Sequence, residues 1–93
     1  MRERDVEQAL TKAVQARGGL CWKFTSPGTT GVPDRLIILP QGHIAFIEVK
    51  APGQKPRPIQ THRHNQLHAL GANVYTIDHP NQIQGVLNEI QTA

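Results

Sequence analysis

The chain has 93 residues, 38% of them hydrophobic and 18% charged, which predicts a single globular domain over residues 1–93 with one modest core. Ten Lys and Arg against seven Asp and Glu give a net charge of +3, which favours an anionic partner. No apolar run is long enough for a membrane span, and the polar N-terminus argues against a signal peptide. The single cysteine excludes an internal disulfide and a four-cysteine zinc site. Together these features indicate a cytoplasmic protein without membrane contact.

The first element is predicted to be a helix over residues 3–17. Apolar side chains recur there at helical spacing, at Val6, Leu10 and Val14, and two glycines follow the last turn. The acidic residues near its start suit the positive end of a helix dipole.

An alternating stretch over residues 20–25 predicts the first strand, with Leu20, Trp22 and Phe24 on one side. Because aromatic residues are only 4% of the chain, Trp22 is expected to belong to the core.

The rest of the chain divides at turn signals into further strands and helices. A Pro- and Gly-rich loop (26–33) is followed by two strands (35–39 and 44–49). A helix (58–70), a strand (73–77) and a last helix (81–90) complete the chain. The predicted order is α-β-β-β-α-β-α, an α/β fold. In the helix that begins at Pro58, the side chains of Ile59, Leu67 and Leu70 are expected to face inward.

Two acidic residues, Asp34 and Glu48, flank the predicted hairpin. With a turn at residues 40–42, paired residue numbers sum to 82, and Asp34 then faces Glu48 with Cβ atoms about 4.5–5.5 Å apart. Two carboxylates at this distance repel each other unless a cation lies between them, and a hard cation such as Mg²⁺ takes oxygen ligands. A register shifted by one residue would pair Asp34 with Val49 and remove this argument.

Lys50 lies two positions after Glu48, so strand periodicity places both on the same face. Its ammonium would hold a phosphate or orient a metal-bound water, and the backbone carbonyl of Val49 would be a further oxygen ligand. Pro33 fixes the backbone before the first acid, and Gly31 is expected to let a ligand backbone approach closely. Either half of this arrangement alone also fits an ordinary turn or a solvated ion pair, whereas the two halves around one turn favour a site.

These residues resemble a known signature. Asp34 followed by Glu48-Val49-Lys50 resembles the PD-(D/E)xK nucleases, and Gly31-Val32-Pro33-Asp34, with Glu48-Val49-Lys50 and Gln60, resembles the VRR-NUC family (virus-type replication-repair nuclease), from about Glu7 to Ile77. The resemblance implies a restriction-endonuclease-like core, with a mixed β-sheet flanked by helices. It also implies hydrolysis of phosphodiester bonds in DNA with Mg²⁺ or Mn²⁺.

The resemblance assigns roles to individual residues. It implies that Asp34 and Glu48 bind the metal, that Lys50 is the catalytic lysine, that Gln60 is the helical glutamine of the catalytic set, and that Glu7 is an additional metal ligand. Small family members are similar to Holliday-junction resolvases, which implies a homodimer that acts on branched DNA in viral or phage replication or repair, inside a bacterial or phage-infected cell. The loop before Pro33 lacks the Gly-Lys-Ser/Thr ending of a nucleotide-binding loop, so no nucleotide cofactor is expected.

Further residues are candidates for contacts with the DNA backbone, which would give affinity without base specificity. They are Lys23, Ser26, Arg35, Lys55, Arg57 and Arg63. The spacing of His64 and His68, one helical turn, suggests zinc only weakly. Since no second ligand pair accompanies them, His62, His64 and His68 are expected to extend this basic surface. The alternative function is a non-catalytic DNA-binding module on the same fold.

Overall fold

The computed structural model describes residues 1–92. Its elements are α1 (Glu3–Ala16), β1 (Leu20–Lys23), β2 (Arg35–Leu39), β3 (His43–Val49), α2 (Pro58–Ala69), β4 (Val74–Ile77) and α3 (Ile83–Thr92), with 3-10 turns at Pro40–Gly42 and Pro80–Gln82. The α/β class and the element order predicted from the sequence are confirmed. Within these residues, no helix is long and apolar enough to cross a membrane.

The four strands form one mixed sheet in the order β1-β2-β3-β4. The first three strands pair antiparallel, and β4 pairs parallel to β3, which requires a crossover that α2 provides. In the β2–β3 hairpin Leu39 pairs with His43 and Arg35 with Ile47. The predicted register, in which paired numbers sum to 82, is therefore confirmed. Gln41 and Gly42 both have positive φ, 67° and 76°, and they allow this tight reversal.

The core lies between the sheet and the pair α1 and α3. It consists of aliphatic side chains that alternate along the strands and recur at helical spacing: Val6, Leu10, Val14, Ile37, Leu39, Ala45, Ile47, Val49, Ile77, Ile83, Leu87 and Ile90. Arg17, at the end of α1, donates hydrogen bonds to side chains of α3, at 2.6 Å to Gln91, 2.7 Å to Gln84 and 2.9 Å to Asn88. The aliphatic part of this face of the sheet is thus buried as the core of the protein.

The other face of the sheet is only partly covered, by α2. The side chains that α2 buries are Gln60 and His64, whereas Leu70 is 87% exposed, and Ile59 and Leu67 are half-buried. The prediction that Leu70 faces inward is therefore wrong, and Ile59 and Leu67 are covered only in part. The reason is that α2 packs over the polar end of β3, where its inward side chains meet a carboxylate and not an aliphatic core.

The expectation that Trp22 belongs to the core is also wrong. Trp22 is 54% exposed, because it pairs with Leu36 on the side of the sheet that faces away from α1. The neighbouring Cys21 has the opposite parity and packs against the core. The regular strand also ends at Lys23 and not at residue 25. We call the uncovered apolar surface the open sheet face, and its residues are Leu20, Trp22, Leu36, Ile38 and Ile44.

Candidate active site

Asp34 lies immediately before β2, one residue beyond the outermost pair of the hairpin. Since that pair is Arg35 with Ile47, the same register places Asp34 opposite Glu48. The Asp34 carboxylate accepts a hydrogen bond of 2.8 Å from the Val49 backbone N–H. Its carbonyl accepts one of 2.8 Å from the N–H of Phe24. β3 and the residue that follows β1 therefore hold this acid in place.

Glu48 is the most deeply buried charged residue of the site, with 1% of its surface exposed. Its Oε2 accepts a hydrogen bond of 2.9 Å from Gln60 Nε2 and lies 3.3 Å from Lys50 Nζ. The predicted placement of Lys50 on the same face as Glu48 is thereby confirmed. The other oxygen, Oε1, accepts no hydrogen bond from the described residues.

The electrostatics of this pair are those of a site that attracts a cation. Burial, followed by the negative charge of Asp34, raises the pKa of the Glu48 carboxyl from 4.5 to about 7, although Lys50 acts in the opposite direction. A carboxylate that is desolvated beside a second one favours any partner that brings positive charge. The site thus gains electrostatic stability when a cation binds.

Gln60 reaches Glu48 because of its place in the first turn of α2. Pro58 opens the helix, and Gln60 Oε1 accepts a hydrogen bond of 2.8 Å from the Arg57 backbone N–H. Its amide nitrogen is then free to donate to the Glu48 carboxylate. The same side chain therefore caps the helix and orients an acid.

Gly31 fixes the distance between α2 and the loop before Asp34. It has φ of +84°, and a Cβ atom there would lie 2.9 Å from the Ile59 side chain and backbone. The expectation that Gly31 leaves room for a ligand backbone is corrected, since the close neighbour is α2 itself. Without this glycine α2 would be displaced from the site that it covers.

Glu7 and Arg35 pair with each other on the α1 side of the sheet. Glu7 Oε2 lies 3.2 Å from Arg35 Nε, and the Arg35 guanidinium also donates to the Cys21 carbonyl at 3.4 Å. Since adjacent strand residues alternate in direction, Arg35 points away from the face that carries Asp34. That Glu7 binds metal and that Arg35 contacts DNA both stay predictions.

The other candidates for DNA contact differ in how far they are exposed. Lys23, Lys55 and Arg57 are exposed, whereas Ser26 is half-buried. Arg63 is partly committed, because its Nε donates to the Thr30 carbonyl at 2.8 Å. These positions are compatible with a nucleic-acid surface, and their contacts with DNA stay predictions.

The three histidines of α2 do not act together. His62 and His68 are exposed, whereas His64 is 8% exposed and its Nε2 lies 3.9 Å from Glu48 Oε1. His64 therefore belongs to the site and not to a basic surface. Its spacing of four residues from Gln60, one helical turn, is the sequence signal that could have placed it there.

The donor set fits a hard divalent cation. Asp34 and Glu48 offer carboxylate oxygens, and one buried Glu48 oxygen has no hydrogen-bond partner within residues 1–92. No group of three or more His, Cys, Asp or Glu side chains in that range is arranged to hold a metal. A site with only a few protein ligands suits Mg²⁺, because this ion keeps several of its own waters. It suits zinc less well, because zinc needs three or four protein ligands.

A relative and a solved structure place the chain in a family, although no family model matches it. A relative named "Putative nuclease p44", from Acyrthosiphon pisum secondary endosymbiont phage 1, is 50% identical over 78 residues, which are 84% of each chain. A solved structure described as a VRR_NUC domain is 34% identical, has a TM-score of 0.86, and covers 92% of this chain and 94% of its own. The chain thus belongs to the VRR-NUC family of nuclease domains.

Proposed function

We propose that this protein is a DNA endonuclease that depends on Mg²⁺ or Mn²⁺ and hydrolyses phosphodiester bonds. The observation that carries the proposal is the Asp34–Glu48 pair, with Lys50 Nζ 3.3 Å from Glu48, inside the fold of a nuclease family. Asp34, Glu48 and the Val49 carbonyl would hold the metal. When bound, it would lower the pKa of a water and neutralise charge on the phosphate.

The protein's own side chains divide the remaining tasks. Gln60 orients the Glu48 carboxylate through a 2.9 Å hydrogen bond, and the Val49 N–H orients Asp34. The Lys50 side chain is 13% exposed, so it is not sealed off from a phosphate that arrives from solvent. In hydrolysis a water oxygen bonds to phosphorus as one phosphoester bond breaks, and Lys50 stabilises the negative charge that develops on the phosphate oxygens.

Cleavage of labelled DNA tests this function directly. The substrates are a four-way junction, a flap and a linear duplex, each with Mg²⁺, Mn²⁺ or EDTA. We expect cleavage with either metal and none with EDTA. Lys50→Ala should lose cleavage and keep DNA binding, while Lys12→Ala, at an exposed lysine of α1, should be unaffected. Full activity of Asp34→Ala would refute the mechanism, and binding without cleavage of any substrate would favour the non-catalytic alternative.

Glu7 is proposed to complete the metal site from α1. What supports this is its matching position in the family pattern and a side chain that is 27% exposed and so able to leave Arg35. Glu7→Gln is expected to reduce the increase in melting temperature that Mn²⁺ causes. If Mn²⁺ raises the melting temperature of Glu7→Gln as much as that of the wild type, Glu7 does not bind the metal and only pairs with Arg35.

The substrate proposed is branched DNA, cut by a homodimer in phage-type replication or repair inside a bacterial or phage-infected cell. The phage source of the relative supports this setting. The open sheet face supports self-association, since Leu20, Trp22 and Ile44 are about half exposed there. None of its five side chains is charged, and an uncharged apolar surface can be self-complementary about a two-fold axis. DNA would instead require Lys and Arg at that surface.

The single tryptophan makes self-association measurable in the unmodified protein. Sedimentation equilibrium should show a dimer, and dilution should shift Trp22 fluorescence towards longer wavelengths as water reaches the indole. Ile44→Lys should produce a monomer whose fluorescence does not change on dilution. A monomeric wild type at all concentrations would refute the dimer. If Trp22 fluorescence responds to DNA alone, the open sheet face is a DNA surface.

A further inference from the structure

His64 occupies a position where a helix ordinarily buries an aliphatic side chain. It lies one turn after Gln60 on the inward face of α2, and the two are 8% and 6% exposed. Both point at the same carboxylate, since Gln60 Nε2 binds Glu48 Oε2 at 2.9 Å and His64 Nε2 faces Glu48 Oε1 at 3.9 Å. The helix therefore directs one polar group to each oxygen of this acid.

The two facing atoms are both buried and both lack a hydrogen-bond partner among residues 1–92. Leaving a buried polar atom unpaired is unfavourable, and native proteins keep few such atoms. At 3.9 Å the pair is about 1 Å longer than an N–H···O bond. A small rotation of either side chain, or one polar group between them, would satisfy both atoms together.

We propose that His64 is a positioning residue for Glu48: its Nε2–H holds the Oε1 oxygen and sets the direction in which the carboxylate meets the metal. The proposal rests on the metal-binding role of Glu48 proposed above. Inner-shell ligation is disfavoured, because imidazole suits zinc and later transition metals while Mg²⁺ takes oxygen ligands. Groups that orient a metal ligand typically contribute 10–100-fold to metal affinity.

The test is a titration of the melting temperature with Mn²⁺ and with Mg²⁺, which reads metal affinity independently of catalysis. His64→Leu keeps an apolar side chain of comparable size but removes the donor, and we expect about tenfold weaker metal binding. His64→Gln places an amide N–H near the position of Nε2 and should restore most of the affinity. His62→Leu, at an exposed histidine of the same helix, is the matched control and should match the wild type.

The outcomes separate this proposal from the proposed function. If the wild type shows no change in melting temperature with either metal, the metal-dependent function itself fails. If the wild type responds and His64→Leu responds with the same affinity, or a higher one, His64 does not position Glu48. If the metal-free melting temperature of His64→Leu falls and its metal affinity stays unchanged, the role of His64 is packing alone, which also overturns the proposal.

Discussion

Replacing Glu48 by glutamine is expected to stabilise the metal-free protein at alkaline pH while abolishing its response to metal. Glu48 is 1% exposed, and its pKa rises from 4.5 to about 7 because of burial and the charge of Asp34. This rise corresponds to about 3 kcal/mol against the ionised form in the native state. A neutral amide in the same place does not carry that penalty.

The direction with pH follows from where the proton is held. Because the native pKa lies above the unfolded one, the native state keeps a proton between pH 4.5 and about 7 that the unfolded state has lost. The free energy of unfolding of the metal-free protein should therefore fall as pH rises through this interval and then level off. Glu48→Gln should lack this fall.

The attraction of Lys50, 3.3 Å from Glu48, is already contained in the raised pKa of Glu48. We therefore expect Glu48→Gln to be more stable than the wild type by about 1–3 kcal/mol at pH 8. At pH 4.5 the variant should show no gain. For a domain of this size, 1 kcal/mol changes the melting temperature by about 4–8 °C.

Urea denaturation in EDTA at both pH values measures the difference. Glu89→Gln, at an exposed glutamate of α3, is the matched control and should behave as the wild type at each pH. A Glu48→Gln variant that is less stable than the wild type at pH 8, or equally stabilised at both pH values, would refute the reasoning. Added Mn²⁺ should raise the melting temperature of the wild type and the control but not that of Glu48→Gln.

Three other measurements follow from the same structure. Metal affinity should rise about tenfold per pH unit up to about pH 7 and then level off, because metal must displace the proton from Glu48, and a calorimetric titration that is flat with pH would contradict this. Gly31→Ala should lower the free energy of unfolding, measured with denaturant, by about 2–4 kcal/mol, because it adds a clash at 2.9 Å to the strain of a positive φ. Gly28→Ala, with φ of +83° but open space around it, should lower it by only about 1–2 kcal/mol. Arg17→Met should lower stability by about 1–2 kcal/mol, as three hydrogen bonds to side chains of α3 and one to the Gln84 carbonyl are lost, and no change would mean that these bonds contribute nothing.

Much of the site could be predicted from the sequence, because the interactions that form it are between residues close together in the chain. The turn at residues 40–42 brings together strands that are neighbours in the chain, so counting residues was enough to pair Asp34 with Glu48. Strand alternation then placed Lys50 beside Glu48. The start of α2 at Pro58 was readable for the same reason, since proline favours the first helical position whatever surrounds it.

What only the tertiary structure decided concerns which surfaces meet. A helical pattern predicts that apolar side chains face the core and polar ones face solvent. From that pattern, Leu70 was expected on the inward face of α2 and His64 on its outward face. The fold instead lays α2 over a buried carboxylate, which makes polar partners the favourable ones and leaves Leu70 87% exposed. The sequence by itself determined the acids, the lysine and the register that joins them. The packing of α2 over β3, a long-range contact that no local pattern encodes, decided that His64 joins Gln60 beside Glu48. Which side of the sheet α1 and α3 cover decided that Trp22 stays exposed on the open sheet face.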